Sequence, residues 1–460
     1  MLSLYHQDKN KFQYLFQQRS KLNVVIVGFG YIGCCIGAVL ADKGIKVIGI
    51  EPRKTIVNAI NKGICLIKEP ELELLVKKNV EKQNLSATTE YSVIKTADII
   101  IVTVGTPLAE DFSPLMDDIK SASLSIGEHL QKGQIVILKS TVPPFTTENI
   151  VKPILEKKSG LVAGKDFGLA FSPERLAEGR AIKELASIPI IVGGTDENSS
   201  LIVSEFWKNT LGVETIIVSE ARTAEMTKLA DNLWIDLNIA LANELAQICS
   251  KINVDVMEVI EAANSLPKVK HNVNILMPSM GVGGYCLTKD PWFVYNFGKK
   301  YGLELKTPVT SRKVNDYMPL FTFELIKNVL QENGKELSSS KIAVLGLSFK
   351  SNTGDIRYTP TKYTLEHLQA SGCELTIFDH LVNAEETKQV INLKQSTSIE
   401  EAVKNADVVA FFTGHQEFFN YPREKLKSLI KPNCWIIDGR NIFDPKLMKT
   451  EGFNYKGIGR

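Results

Sequence analysis

The sequence predicts an α/β protein with two doubly wound parallel sheets that are joined by a long central helix. A strand, a glycine-rich turn and a helix open a βαβ pattern near the N-terminus, and the same order of strands returns near the C-terminus. Between them, a long stretch keeps a helical pattern without glycine or proline. With 460 residues, the chain exceeds what one hydrophobic core usually organises, so several domains are expected.

The first βαβ pattern begins at residues 23–28, NVVIVG, a continuous apolar run that is typical of a parallel strand covered on both faces. A helical pattern follows the glycines and ends near Gly44. Residues 46–50, KVIGI, form a second strand that leads into Glu51. Two further strand candidates are residues 98–104 and 134–138. A Rossmann-like domain is therefore expected here.

The same strand order returns in the last third of the chain, which predicts a second Rossmann-like domain. The matching apolar runs are residues 341–346, 373–379, 406–412 and 434–438. The second run again ends in an acid, Asp379. The first turn, Gly346-Leu347-Ser348, lacks a third glycine, so no pyrophosphate is assigned to it.

The central helical pattern covers residues 219–251 and would measure some 50 Å if it were unbroken. A helix of this length usually spans domains or dimerises. Leu233, Leu237 and Leu241 recur at helical spacing. They predict a homodimer through this helix, although the same leucines would also suit the core of a domain.

Composition excludes several classes of partner. Lysine plus arginine number 54 and aspartate plus glutamate 52, so a formal charge of +2 gives no footprint for nucleic acid or for an acidic membrane. The longest apolar runs are far shorter than the roughly 20 residues of a membrane span. The N-terminus lacks the apolar block of a secretion signal. Seven scattered cysteines without a CxxC pair suit reduced thiols, and we expect a cytoplasmic protein.

Residues 27–33, VGFGYIG, form a dinucleotide-binding fingerprint between a strand and a helix. Gly28 permits the tight turn, Gly30 lets the backbone approach a pyrophosphate, and Gly33 lets the helix pack close to the strand. The N-terminus of the helix then faces the negative charge of the ligand. The sequence therefore predicts a dinucleotide cofactor.

Glu51 decides which dinucleotide is expected. It lies 18 residues after Gly33, where an acid binds the adenosine ribose hydroxyls and repels a 2′-phosphate. This favours NAD. Arg53 and Lys54 lie close by and keep NADP open.

A second glycine-rich stretch, residues 281–290 (GVGGYCLTKD), releases Cys286 at what looks like the start of a helix. A helix N-terminus lowers the pKa of a thiol, and Asp290 would share a helix face with Cys286. The stretch alone fits a reactive cysteine and a buried structural cysteine equally well.

Lys228 and Asn232 are four residues apart on the long helical pattern. A cation and an amide side by side could hold a developing oxyanion. As an isolated pair they would also suit a solvated surface.

Taken in order, seven motifs resemble the nucleotide-sugar 6-dehydrogenases, the family of UDP-glucose and UDP-N-acetylmannosamine dehydrogenases. The resemblance covers roughly residues 22–445. The motifs are residues 27–33 (VGFGYIG), 104–107 (VGTP), 140–144 (STVPP), 172–176 (SPERL), Lys228 with Asn232, 281–290 (GVGGYCLTKD), and 349–350 (FK) with 355–357 (DIR).

The resemblance implies an NAD-dependent, four-electron oxidation of the C6 alcohol of a UDP-sugar to the carboxylate through a cysteine thioester. The implied catalytic residues are Cys286, Lys228, Asn232, Asp290, Glu174 and Thr141. The implied cofactor-binding residues are Gly28, Gly30, Tyr31, Ile32, Gly33, Glu51, Arg53, Thr106, Thr141, Glu178 and Arg357. The implied substrate-binding residues are Glu174, Arg175, Leu176, Lys228, Asn232, Gly283, Phe349 and Lys350.

The same resemblance implies four segments and an active site in the cleft between the two Rossmann-like halves. No metal is expected, because no cluster of ligands stands out and the six histidines are scattered. The segments are an N-terminal extension over residues 1–21, an NAD-binding domain over 22–214, a central helical segment for catalysis and dimerisation over 215–325, and a UDP-sugar-binding domain over 326–460.

Arg175 favours a UDP-N-acetylhexosamine such as UDP-N-acetylmannosamine, because UDP-glucose enzymes commonly have an aromatic residue there. UDP-glucose stays open as the substrate. Two other functions also stay open: a two-electron NAD-dependent dehydrogenase that does not use Cys286, and a non-catalytic protein that kept the fold. A scaffold, however, has no need for the full catalytic set.

Three positions depart from the family pattern. Tyr285 stands where relatives commonly have histidine, and Phe145 stands where glycine is usual. Residues 270–272 (KHN) replace a segment in which many relatives have an arginine that reaches the substrate of a neighbouring subunit. We expect a changed rim of the pocket at Tyr285 and an altered loop after Thr141 at Phe145, and we do not assign the contact with the neighbouring subunit's substrate.

Overall fold

The computed structural model describes residues 2–8, 11–268 and 271–460, and the chain forms two compact units. Unit one comprises Met1–Asp231 with Trp292–Gly302, and unit two comprises Asn232–Pro291 with Leu303–Arg460. Lys270, one of the positions at which the family pattern changes, lies outside the described residues.

Unit one contains an eight-stranded sheet with the order β3-β2-β1-β4-β5-β6-β7-β8. All pairs are parallel except β6 with β7. The four strands that the sequence predicts are present, and β4 and β5 are buried along their whole length, as expected of strands covered on both faces. The strands are β1 (Asn23–Val27), β2 (Lys46–Ile50), β3 (Leu85–Thr88), β4 (Ile99–Val102), β5 (Ile135–Leu138), β6 (Gly168–Phe171), β7 (Ile190–Gly194) and β8 (Thr215–Ile217).

Helices cover the sheet of unit one, and the N-terminal extension joins its core. Phe12 and Phe16 of α1 are buried, and the Phe16 ring meets the Phe206 ring edge-on at 5.7 Å. Short 3₁₀ turns span Leu4–His6, Arg19–Lys21 and Tyr91–Thr96, and Thr147–Val151 forms a π-helical turn. The helices are α1 (Phe12–Gln17), α2 (Tyr31–Asp42), α3 (Lys54–Asn61), α4 (Leu72–Glu81), α5 (Asp117–Gly127), α6 (Lys152–Ser159), α7 (Ala181–Glu184) and α8 (Glu197–Leu211).

Two helices contain residues of both units. One is α9 (Ala221–Ile252), which matches the long helix that the sequence predicts, and the other is α11 (Asp290–Lys300). No helix among the described residues is long and apolar enough to cross a membrane.

Unit two contains a five-stranded parallel sheet with the order β12-β11-β13-β14-β15. The sequence predicts four of these strands and misses the fifth. Together with the first sheet, this confirms the predicted α/β class with two parallel-sheet domains. The strands are β11 (Lys341–Leu345), β12 (Glu374–Phe378), β13 (Val408–Phe411), β14 (Trp435–Asp438) and β15 (Asn454–Gly457). Separately, β9 (Pro267–Lys268) pairs antiparallel with β10 (His271–Asn272).

The remaining helices belong to unit two. A 3₁₀ turn over Leu337–Ser339 precedes β11. The helices are α10 (Val256–Asn264), α12 (Lys306–Glu332), α13 (Pro360–Ala370), α14 (Ala384–Val390), α15 (Ile399–Val403), α16 (Gln416–Asn420), α17 (Arg423–Leu429) and α18 (Pro445–Thr450).

Candidate active site

The glycine turn of unit one lies between β1 and α2. Gly28 has φ of +90°, and a Cβ there would come within 2.8 Å of the Val104 nitrogen. A Cβ at Gly33 would lie 2.3 Å from the Gly28 oxygen, so only glycine lets α2 pack this closely. At Gly30 a Cβ would meet no protein atom within 4 Å, so the glycine keeps room beside the backbone at the start of α2. This arrangement fits the pyrophosphate of a dinucleotide.

Glu51 lies directly after β2 and is buried. Its Oε1 accepts hydrogen bonds from the Arg53 backbone nitrogen at 3.2 Å and from Arg53 Nε at 2.6 Å. This contact raises the pKa of the Arg53 guanidinium. The acid that the sequence assigns to the ribose is therefore held by a neighbouring cation whose side chain is itself mostly exposed.

Tyr31, the first residue of α2, is tied to the loop that carries Glu178. The Tyr31 hydroxyl donates to Glu69 Oε2, and the same carboxylate accepts from the backbone nitrogens of Gly179 at 2.7 Å and Ala181 at 2.8 Å. Burial and the Glu69 hydrogen bond raise the pKa of Tyr31. Glu69 was missed by the sequence reasoning, because it belongs to a loop without a periodic pattern. The neighbouring Ile32 packs against the core of unit one.

Thr106 and Thr141 follow the ends of β4 and β5. The hydroxyl of Thr106, which is buried, donates to the Thr141 carbonyl at 2.7 Å. Ser140 Oγ donates to the Val104 carbonyl at 2.7 Å. Two predicted site residues are thus held together at the carboxyl edge of the sheet, where ligands bind in open α/β folds.

Glu174 follows β6, and Lys139, which directly follows β5, lies near it. Glu174 Oε1 accepts from the Leu176 nitrogen, and its Oε2 lies 3.9 Å from Lys139 Nζ. Lys139 is buried and donates to the Pro173 carbonyl at 3.0 Å. Burial lowers the pKa of the Lys139 ammonium, with the Glu174 charge opposing this shift. The sequence reasoning missed Lys139, although it directly precedes the STVPP motif.

Arg175 and Leu176 are both held within unit one. Arg175 Nε donates to Asp231 Oδ2 at 2.8 Å, and its Nη1 donates to the Pro189 carbonyl at 3.2 Å. The Leu176 side chain packs against the core. The Arg175 guanidinium, which the sequence assigns to the substrate, thus forms an ion pair with Asp231 of α9.

In unit two, Asp290 is fully buried between an amide and a cation. Its Oδ2 accepts from Asn232 Nδ2 at 2.5 Å, and its Oδ1 lies 2.5 Å from Lys289 Nζ. Lys289 was missed, although its place beside Asp290 in the sequence was a usable signal. On α9, Asn232 lies one turn after Lys228, which is also buried.

Cys286 is exposed and lies in a turn ahead of α11. The prediction that it begins a helix was wrong by one turn, because α11 starts at Asp290. The Asp290 nitrogen donates to the Cys286 carbonyl at 2.9 Å, so the cysteine is still linked to the first residue of the helix. Arg312 of α12 donates to the Leu287 carbonyl at 3.2 Å and fixes the far side of the turn.

The glycines before Cys286 pack against Phe349. A Cβ at Gly283 would come within 2.6 Å of the Phe349 Cβ, and a Cβ at Gly284, where φ is +87°, would come within 2.6 Å of the Phe349 ring. The turn before Cys286, which contains the predicted substrate residue Gly283, therefore packs against a second predicted substrate residue, Phe349. Lys350 follows Phe349 directly in the sequence. Of the eleven predicted cofactor-binding residues, ten lie in unit one, whereas Arg357 lies in unit two.

Tyr285 occupies the position at which the family pattern has histidine. The Lys289 ammonium lies 5.3 Å from its ring centroid and the Arg357 guanidinium 6.0 Å. Burial raises the pKa of Tyr285 to about 12. Arg357 also donates through Nε to both carboxylate oxygens of Asp355. The phenol is therefore uncharged and covers two cations at the edge of the cysteine turn.

Three family models match consecutive parts of the chain. They describe the NAD binding domain (residues 22–211), the central domain (222–317) and the UDP binding domain (343–445) of the UDP-glucose/GDP-mannose dehydrogenase family. The chain belongs to this family. It is an NAD-dependent nucleotide-sugar dehydrogenase, and the glycine turn with Glu51 forms part of its NAD-binding domain.

Relatives cover nearly the whole chain. A UDP-N-acetyl-D-mannosamine dehydrogenase of Campylobacter jejuni is 38% identical over 88% of this chain and 98% of its own length. An NDP-N-acetyl-D-galactosaminuronic acid dehydrogenase of Ralstonia solanacearum is 33% identical over 92% of this chain and 96% of its own. The solved UDP-D-ManNAc dehydrogenase of Pyrococcus horikoshii superposes with a TM-score of 0.86 at 32% identity, covering 95% of this chain and 99% of the other.

One further cation of this dehydrogenase was missed by the sequence reasoning. Arg440 follows β14, donates through Nε to the Phe412 carbonyl at 2.9 Å and through Nη2 to the Phe349 carbonyl at 3.0 Å. Within the described part of the chain it has no carboxylate partner. Desolvation lowers the pKa of Arg440 to about 10, so the guanidinium stays charged beside Phe349 at neutral pH.

Metal and disulfide chemistry are not represented among the described residues. No group of three or more histidine, cysteine, aspartate or glutamate side chains there could hold a metal ion. All seven cysteines lie in the described part of the chain, and none of them forms a disulfide.

Proposed function

We propose that this dehydrogenase oxidises the C6 alcohol of a UDP-N-acetylhexosamine to the carboxylate through a thioester on Cys286. The observation that carries the proposal is the exposed Cys286 on a turn whose next helix begins with Asp290, the buried carboxylate that holds Asn232. A structural cysteine would be buried, whereas a nucleophile must be accessible.

Lys228 and Asn232 act on the C6 oxygen in the proposed first oxidation. NAD, when bound, accepts the hydrides that leave C6. Since the two side chains lie one turn apart on α9, they can face the same oxygen and stabilise its developing negative charge. Asp290 orients the Asn232 amide, and Lys289 neutralises that carboxylate.

Cys286 then attacks the C6 aldehyde carbon as a thiolate. The new sulfur–carbon bond forms as the carbonyl electron pair moves onto oxygen, where Lys228 and Asn232 again stabilise it. Loss of a second hydride from C6 restores the carbonyl and leaves a thioester.

Glu174 is the proposed base for hydrolysis of the thioester, with Thr141 beside it. One carboxylate oxygen accepts from the Leu176 nitrogen, whereas Oε2 is buried and accepts no hydrogen bond from the described residues. In the proposed step, a water that reaches this oxygen gives it a proton as the water attacks the thioester carbonyl. The sulfur leaves with the electron pair, and the water oxygen becomes part of the carboxylate.

An N-acetylhexosamine is the proposed sugar, because the Campylobacter and Ralstonia relatives are named for N-acetylmannosamine and N-acetylgalactosaminuronic acid. Phe349, Lys350 and Gly283 are proposed to bind the nucleotide-sugar from unit two. The charged Arg440 beside them supports an anionic ligand, since a diphosphate needs local cations in a chain with little net charge. UDP-glucose is the second candidate substrate.

The enzyme is further proposed to be a homodimer through α9. Five apolar side chains of this helix, each between 40% and 57% exposed, fall within an arc of about 60° at 3.6 residues per turn. They are Trp234, Leu237, Leu241, Ile248 and Ile252. An exposed apolar stripe of this length marks an interface. Leu233, which the sequence grouped with them, is half-buried.

A cytoplasmic location is the last part of the proposal. None of the seven cysteines forms a disulfide, and four of them, Cys34, Cys35, Cys249 and Cys434, are buried. Chains that function in oxidising compartments usually pair their cysteines.

Counting NADH per UDP-sugar consumed tests the mechanism. The wild-type enzyme should form two NADH per uronate, and the Cys286→Ala variant should form no uronate. A Cys373→Ala variant, altered at a half-buried cysteine of the same unit, should keep the wild-type ratio. A ratio of one would support the two-electron alternative and remove the thioester. A panel of UDP-hexoses, with UDP-N-acetylmannosamine expected to be preferred, tests the sugar.

A further inference from the structure

Asp379 stands at the end of β12, the position in unit two that corresponds to Glu51 in unit one. Its carboxylate is buried and fully used inside the protein. Oδ2 accepts from the backbone nitrogens of Leu347 at 2.8 Å and Ser348 at 3.3 Å, and Oδ1 accepts from the Leu381 nitrogen at 2.9 Å. In a dinucleotide-binding domain, an acid at this position would bind a ribose. Here it instead accepts hydrogen bonds from the backbone of the turn that follows β11.

His415 continues this buried network. It has no exposed surface, and its Nε2 lies 3.0 Å from Asp379 Oδ2 and 3.3 Å from Ser348 Oγ. Its Nδ1 lies 2.8 Å from the Asn352 backbone nitrogen. Because a backbone N–H can only donate, Nδ1 must be the acceptor and Nε2 must carry the proton. The ring is therefore neutral in this arrangement.

The turn above His415 is the one that carries Phe349 and Lys350. The Lys350 carbonyl accepts from Ser348 Oγ at 3.1 Å and from Thr353 Oγ1 at 3.0 Å. Asn352 has φ of +58°, a conformation that needs support from its surroundings. His415 thus holds the turn at both ends, through Ser348 and through Asn352.

We propose that neutral His415, together with Asp379, is a positioning residue for binding of the nucleotide part of the substrate. It acts through the turn over residues 348–352 and does not touch the ligand. The proposal rests on the proposed function, in which Phe349 and Lys350 bind the nucleotide-sugar. It assigns substrate affinity in part to a buried histidine that follows β13.

Calorimetric titration of the full-length enzyme with UDP alone tests the proposal. His415→Ala should weaken UDP binding about tenfold, since two buried hydrogen bonds to the turn are lost. NAD binding, which depends on unit one, should stay unchanged. With UDP-N-acetylmannosamine, KM should rise while kcat is largely retained. His367→Gln, at an exposed histidine of the same unit, is the matched control and should leave UDP affinity unchanged.

Two conservative variants separate positioning from simple instability. His415→Asn offers an acceptor near the Nδ1 position, and His415→Gln offers a donor near the Nε2 position, so each should recover part of the affinity. If His415→Ala does not fold, as judged by lost NAD binding, the UDP affinities of His415→Asn and His415→Gln test the proposal instead. UDP affinity within twofold of wild type in every folded variant would overturn the proposal. Failure of the wild-type enzyme to bind UDP would overturn the proposed function as well.

Discussion

Two buried lysines give the two carboxylates of the candidate site different tasks. Lys289 Nζ is in direct contact with Asp290 at 2.5 Å, so this acid is neutralised and can only orient Asn232. Lys139 Nζ lies 3.9 Å from Glu174 and gives its hydrogen bonds to backbone carbonyls instead. A buried charge needs a partner of opposite charge. Lys139 is near enough to be the partner of Glu174, but it donates no hydrogen bond to Glu174 Oε2. Of the two acids, Glu174 is therefore the one to which we assign the base of the proposed hydrolysis.

Replacing Glu174 by glutamine should stall the proposed reaction at the thioester. The amide cannot take a proton from water, so hydrolysis should slow by about 10²–10⁴-fold while the oxidation steps continue. Intact mass spectrometry after adding NAD and UDP-N-acetylmannosamine should then show acylated enzyme. The Cys286→Ala, Glu174→Gln double variant is the control and should show no added mass. Unmodified Glu174→Gln enzyme during turnover would contradict the assignment.

At single positions, the sequence draws attention to candidate reactive groups but not to the residues that surround them. Cys286, Asp290 and Glu174 belong to short motifs whose residue types indicate a candidate chemistry. The residue type of Lys139 and of Lys289 gives no such indication. A lysine is usually exposed, and only the folded structure shows that these two are buried beside a carboxylate. Phe145 is the opposite case, since it keeps φ of +70° where the family pattern has glycine, and the Arg222 guanidinium lies 4.9 Å from its ring centroid.

Among the elements of the fold, the glycine turn over residues 281–284 joins Cys286 to the turn of Phe349, which is proposed to bind the substrate. Gly283 and Gly284 both lie where a side chain would collide with Phe349. The Gly284 nitrogen also donates to the Arg357 carbonyl at 3.1 Å. The position of Cys286 therefore depends on close backbone packing that only glycine permits.

Gly284→Ala should damage catalysis more than stability alone explains. Its φ of +87° and the contact of 2.6 Å with the Phe349 ring would force the turn to move. We expect the free energy of unfolding to fall by about 1–3 kcal/mol and kcat/KM for the UDP-sugar to fall at least about tenfold, an effect of 1.4 kcal/mol or more.

Gly334→Ala is the matched control in the same unit. Gly334 has φ of +68°, but a Cβ there would meet nothing within 4 Å. Denaturant unfolding should show a comparable backbone cost, and steady-state kinetics should show no change. Equal kcat/KM values in the two variants would show that the packing of Gly284 against Phe349 does not position the cysteine.

The buried apolar runs predicted four of the eight strands of the first sheet and four of the five strands of the second, with their parallel direction, whereas the reversal between β6 and β7 was not predicted. A fully buried strand reads as a continuous apolar run whether its neighbour is parallel or antiparallel. The reversal between β6 and β7 therefore left no periodic signal. β8 has three residues, two of which are exposed, and β15 is half-buried for most of its length, so neither formed a recognisable run.

For the whole molecule, a formal charge of only +2 means that substrate charge is met locally. Unit two places the Arg440 guanidinium beside the Phe349 carbonyl, and unit one places the start of α2 beside the glycine turn. Each unit therefore has its own means of holding an anion: a charged side chain in one and a helix N-terminus in the other. Overall charge could predict neither.

The apolar stripe of α9 leads to the prediction for the assembled enzyme. The five exposed side chains of the stripe would leave water together if two α9 helices packed against each other, whereas two glutamates would keep the surface hydrated. Leu241→Glu with Ile248→Glu should therefore halve the mass measured by light scattering. Gln331→Glu with Gln369→Glu adds the same charge at exposed positions of unit two and should leave the mass unchanged. A wild-type enzyme that is already monomeric at micromolar concentration would contradict the dimer, because a stripe of this size should be covered at that concentration if it is an interface.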